Sequence, residues 1–276
     1  MKNTDNTLTE GQKLKEKDKG LEKFISFLKD LTKSSQNGNK GEEFENLIEA
    51  KLQKSGALKT GFDKLKPVEY IVELFSINHD EYKKNFNTIK NKILNKNSSE
   101  IVSNPFKNIN ANNTYAYIKQ PYGSQNFPDF LILTNKYVFP LEIKFSTKAT
   151  KTGLPKWNSN IPKSNAIYVY ANAEKQKPLI FLGDDFLGQE TRILLNDFFE
   201  EFNEKEKIEQ LLNNIKNNAN SYNPFGLYPK IRTDFLYKDS FRIENKEKLN
   251  IFQFAKKMGW EKNVFYFLEG LLKNEE

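Results

Sequence analysis

The sequence predicts an α/β fold in which a central β-sheet is flanked by helices. Two kinds of segment predict it. Short apolar runs bounded by polar turns, at 115–118, 130–133, 137–145, 166–170 and 179–182, have the length and composition of strands. Longer stretches, at about 20–33, 41–55, 81–94, 250–260 and 264–272, repeat apolar residues at helical spacing. A core is within reach although only 37% of the residues are hydrophobic, because 23 Phe and 12 Tyr each bury a large area. At 276 residues the chain is long enough for one large domain or two modest ones.

In chain order, residues 1–18 are polar and lysine-rich, and the first helix follows with Leu21, Phe24, Ile25, Phe27, Leu28 and Leu31 on one face. A Ser/Asn/Gly turn at 34–39 precedes the second helix, which carries Phe44, Leu47, Ile48 and Leu52 on one side and Glu42, Glu43, Glu45 and Glu49 around them. Residues 68–75 are compatible with a strand or a short helix. The third helix places Tyr82, Phe86, Ile89 and Ile93 on one face, and His79 lies in the polar turn before it. The runs at 166–170 and 179–182 would extend the sheet, and the two C-terminal helices would close the molecule as packing or dimer surface.

Chemistry concentrates in Pro128–Phe145. Two apolar runs flank Thr134, Asn135 and Lys136, which reads as a β-hairpin. Asp129 opens the first strand, while Glu142 and Lys144 are two residues apart on the second and so leave the same face. Two carboxylates beside one ammonium are costly on a half-buried sheet unless a further charge completes the cluster. A hard divalent cation is the natural completion. Pro128-Asp129, twelve residues, then Glu142-Ile143-Lys144 resembles the PD-(D/E)xK signature of restriction-endonuclease-like nucleases.

The resemblance implies a restriction-endonuclease-like core with a central mixed β-sheet, plus a helical insertion and a C-terminal extension. It implies Mg²⁺ held by Asp129, Glu142 and the backbone carbonyl of Ile143, with Lys144 orienting the attacking water or offsetting charge on the phosphorane. The helix before the hairpin often carries an assisting glutamate in that family. Glu45 is expected in that role, with Glu49 one turn on and Glu42 one turn back as alternatives. The same acids also suit a helix N-terminus through its dipole. The expected division is an N-terminal helical segment (1–40), a catalytic core (41–215) with an insertion at about 56–115, and a C-terminal recognition or packing region (216–276).

Charge distribution points to a polyanion. Net charge is +7 and pI about 9.1, which suits DNA, although a general Lys/Asn bias would give the same total. Distribution says more. Residues 101–128 contain no acid, and the Gly/Asn/Gln loop before Asp129 offers Lys119, Gln120, Ser124, Gln125 and Asn126 to phosphates or base edges. Between Ile143 and Lys163 there are five lysines (Lys144, Lys148, Lys151, Lys156 and Lys163) and no acid. Trp157, Asn158 and Asn160 form the tip of that loop, placed either to enter a groove or to pack on the sheet. Residues 183–210 reverse the sign, with nine acids against three bases, and should face away from DNA. Further on, Lys230 and Arg232 could add a second DNA contact, and a packing role for Arg232 is equally open.

The chain has no cysteine and a single histidine, which excludes disulfides, thiolate zinc sites and histidine metal clusters. No run is long and apolar enough to cross a membrane and no signal peptide is evident, so a cytoplasmic location is expected. No Gly-rich Lys-Ser/Thr phosphate loop is present. Within the nuclease resemblance a type II restriction endonuclease is favoured, which implies double-stranded DNA as substrate, a homodimer and a cognate DNA methyltransferase in the same system. The alternatives are a repair or junction-resolving nuclease of the same fold, and a non-catalytic DNA-binding protein with a decayed nuclease core.

Overall fold

The computed structural model describes residues 17–33, 40–60, 78–95, 99–106, 115–147, 153–158, 160–174, 177–202, 210, 213, 234–235, 237 and 250–273. The chain runs α1 (Lys19–Lys33), α2 (Gly41–Lys54), β1 (Leu58–Thr60), α3 (His79–Leu94), β2 (Val102–Ser103), β3 (Ala116–Lys119), β4 (Phe130–Leu133) and β5 (Tyr137–Ser146). It continues with β6 (Trp157–Asn158), β7 (Ile167–Asn172), β8 (Leu179–Leu182), α4 (Gly183–Phe186), α5 (Gln189–Phe202), β9 (Asp234–Phe235), α6 (Ile251–Met258) and α7 (Trp260–Lys273).

The expected central sheet is present and mixed. Its order is β1-β3-β4-β5-β7-β8, and β2 pairs with the start of β5. β1 and β3 are parallel, as are β5 and β7, whereas β3, β4 and β5 form an antiparallel meander. The stretch expected as an insertion, about 56–115, therefore supplies β1 and β2 to the sheet as well as α3. The expected element at 68–75 lies outside the described residues.

Alternation along the strands divides the core into two layers. Tyr117, Phe130, Ile132, Phe139, Leu141, Ile143, Ile167 and Val169 pack on one face against α1, α2 and α7. Ile118, Leu131, Leu133, Val138, Tyr168, Tyr170 and Phe181 pack on the other against α3, α6 and Trp157. Because Leu141 and Ile143 belong to the first face, Glu142 and Lys144 project from the second. That parity is what presents charged residues from an otherwise apolar strand.

The β4–β5 turn is fixed from a distance. The buried Asp18 carboxylate caps α1 by accepting from Leu21 N (2.8 Å) and also accepts from Thr134 Oγ1 (2.7 Å), Asn135 N (3.1 Å) and Lys136 N (2.9 Å). One side chain thereby joins the first helix to the hairpin that carries the site. No helix among the described residues is long and apolar enough to cross a membrane.

Candidate active site

β4 and β5 pair with Phe130 opposite Leu141, which sets Asp129 beside Glu142. Asp129 Oδ2 accepts from Ile143 N at 2.7 Å, and Asp129 N donates to Glu142 Oε2 at 3.1 Å. The other Glu142 oxygen accepts from Lys144 Nζ at 2.6 Å. Asp129, Glu142 and Lys144 are thus brought together by the hairpin. The peptide bond preceding Pro128 is cis.

A cleft of about 440 Å³ opens over this cluster, lined by Gly41, Glu45, Asp129, Ile143, Lys144, Phe145, Ser146, Thr147, Pro155 and Lys156. The wall from α2 contributes Glu45, and the wall after β5 contributes Lys156. Glu142 lies deeper and is only 6% exposed. Burial pushes the Asp129 carboxyl up to about 8, aided by the neighbouring Glu142 and Glu45 charges and opposed by the Ile143 N–H and Lys144.

Among the described residues, no group of three or more His, Cys, Asp and Glu side chains is arranged to hold a metal ion by itself. The donor set nevertheless fits one kind of cation. Mg²⁺ is commonly held by one or two carboxylates, with water and substrate phosphate filling the rest of its shell. Asp129 and Glu142 are hard oxygen donors held side by side by the hairpin.

Of the helix acids, Glu45 lines the cleft and Glu49 does not. Glu49 accepts from Lys119 Nζ (2.8 Å) and Tyr117 OH (3.1 Å) and pairs with Lys59 (2.7 Å). Burial alone would raise the Glu49 carboxyl, but the two lysines outweigh it and hold the group below its ordinary value. Glu42 is exposed at the start of α2.

Several expected DNA contacts prove to be committed within the protein. Lys119 bonds Glu49 and also Asn46 Oδ1 (2.8 Å), so its ammonium is held by side chains of α2. Gln120 Nε2 donates to Glu45 Oε1 at 3.1 Å. Trp157 is 3% exposed, set edge-on against Tyr168 and Phe186, with Lys144 Nζ 5.7 Å from its ring centre. It packs beneath the site and does not form an exposed tip. The Lys163 side chain is 7% exposed, with its ammonium 6.0 Å from the Phe127 ring centre, and its backbone N–H donates to the buried Tyr168 OH. These packing roles arise from long-range contacts that charge patterning does not encode.

Ser124, Gln125 and Asn126 are exposed on the loop before Asp129, as expected, and Asn126 Nδ2 folds back to Tyr122 O at 2.6 Å. Lys156 is exposed and Asn160 half-buried. Asn158 lies on β6, paired with Asp234 of β9. Lys148, Lys151, Lys230 and Arg232 lie outside the described residues. Comparison with protein-family models, curated proteins and solved structures returns no match.

Proposed function

We propose that this chain is a Mg²⁺-dependent nuclease of the PD-(D/E)xK, restriction-endonuclease-like class, acting on double-stranded DNA as a type II site-specific endonuclease. One observation carries the reading: Asp129, Glu142 and Lys144 are linked by hydrogen bonds beside an open cleft bordered by Glu45 and Lys156. The sequence around that cleft, from Ile143 to Lys163, contains no acid.

Asp129, Glu142 and the Ile143 carbonyl would hold the cation, which supplies Lewis acidity towards a phosphate oxygen and water. Lys144 can turn its ammonium donors from Glu142 towards the attacking water and the charge that develops on the phosphate. The Trp157 ring gives that ammonium a second resting surface. Exposed Lys156, Ser124, Gln125 and Asn126 would hold phosphates and meet base edges. A homodimer would match the two-fold symmetry of a palindromic site, and a partner methyltransferase would protect the host sequence.

The test is incubation with long unmethylated DNA in Mg²⁺ and in EDTA, beside Asp129→Ala. Reproducible discrete fragments, lost in EDTA and in the variant, are expected. Cutting confined to branched DNA would favour a repair or junction-resolving enzyme instead. DNA binding with no cutting under any divalent cation would favour the decayed-core reading.

A further inference from the structure

Gln120 joins two parts of the cleft that the sequence keeps far apart. It follows β3 and adopts φ +47, the left-handed region that residues other than glycine seldom occupy. Its backbone N–H donates to Asp129 O at 2.7 Å, and its carbonyl accepts from Gly123 N at 3.0 Å. Its side-chain amide reaches across to α2 and donates to Glu45 Oε1 at 3.1 Å. The Lys119 ammonium approaches the same Glu45 oxygen at 3.6 Å. The main chain is therefore anchored at Asp129 while the side chain is anchored at Glu45.

We infer that Gln120 is a positioning residue that holds the Glu45 carboxylate in the cleft wall it shares with Asp129, where its charge would favour a bound cation; the inference rests on the proposed function above. The left-handed backbone is what aims the amide at α2. A residue in extended conformation at 120 would send its side chain elsewhere, so the unusual φ has a local use. Gln120 would then act through Glu45 and would not read DNA.

The test compares Gln120→Asn and Gln120→Gly with the wild type and with Asp129→Ala. Asn and Gly both tolerate the left-handed region and keep the backbone N–H. Asn carries its amide one methylene short of Glu45, and Gly carries none. Mg²⁺ is titrated calorimetrically into DNA-free protein, and melting is followed in EDTA. Wild-type binding that disappears in Asp129→Ala is expected first. Both Gln120 variants should then bind Mg²⁺ about 10-fold more weakly, with melting temperatures within about 2 °C of wild type.

Unchanged Mg²⁺ affinity in both variants would overturn the positioning role while leaving the cation site standing. Lowered melting in both variants with unchanged Mg²⁺ affinity would assign Gln120 a purely structural role. Absence of any Asp129-dependent Mg²⁺ binding in the wild type would instead contradict the proposed function itself.

Discussion

Asp129 is a liability to the fold when ionised. Its carboxyl is buried next to Glu142 and within the field of Glu45, so ionising it there is unfavourable. Asp129→Asn keeps an oxygen for the Ile143 N–H and removes the charge. In EDTA at pH 9 the D129N variant is expected to melt above the wild type, by roughly 2–4 °C per kcal/mol relieved, and in Mg²⁺ it is expected to lose all cleavage. Differential scanning calorimetry checks it; an equal or lower melting temperature would show that the buried charge is already compensated. Glu49 has the opposite sign. Its folded value is depressed, so its contribution to stability is full above the unfolded value and is lost as pH falls through the folded one, below the ordinary 4.5. Glu49→Gln should therefore lower stability at neutral pH, and the gap to wild type should close on acidification below that value. A gap independent of pH would contradict the ion-pair account.

Some of this was legible residue by residue, and some was not. The hairpin, the shared face of Glu142 and Lys144, and the helix carrying Glu45 all follow from spacing of two or of 3.6 residues, which are local properties. Packing on the sheet was one of two readings open for Trp157, and Lys163 was not legible as a packed residue. Their burial depends on Tyr168, Phe186 and Phe127. Gln120 was legible only as an amide near the site, because nothing in sequence announces a left-handed backbone outside glycine.

At the scale of elements, the site depends on two joints. The first is Asp18, which ties α1 to the β4–β5 turn. Asp18→Ala removes a helix cap and strands buried donors, for an expected cost of about 3 kcal/mol measurable by urea unfolding. A loss under about 0.5 kcal/mol would show that water replaces the carboxylate. The second is the start of α4, where a Cβ on Gly183 would collide with the Lys163 carbonyl. The obstacle is main chain, so Gly183→Ala must displace either α4 or the segment at Lys163, at an expected cost above about 2 kcal/mol. The crossover from β5 to β7 contains no helix among the described residues, although parallel strands are usually joined by one. Its sequence is spent on Lys156, Trp157 and the cleft wall. β1 and β2 escaped the sequence reading because three and two residues are too few to show a period.

For the whole molecule, sign-separated charge and the position of the cleft belong to one account. The acid-free stretch from Ile143 to Lys163 adjoins the cluster, whereas the acidic stretch from 183 to 210 includes α5. Binding to DNA should therefore weaken steeply with salt, and Lys156→Ala should reduce the slope of log affinity against log salt by about 1. An unchanged slope would place the phosphate track elsewhere on the surface.

The most direct measurement is single-turnover cleavage of long unmethylated DNA at saturating Mg²⁺ by the wild type and by Lys144→Ala, with DNA affinity measured in parallel. The account predicts discrete fragments with the wild type and a rate reduced by about 100-fold or more in the variant, at an affinity within about 3-fold of wild type. Equal cleavage by both proteins, or none by the wild type in Mg²⁺, would contradict the assignment of Asp129, Glu142 and Lys144 as a nuclease centre.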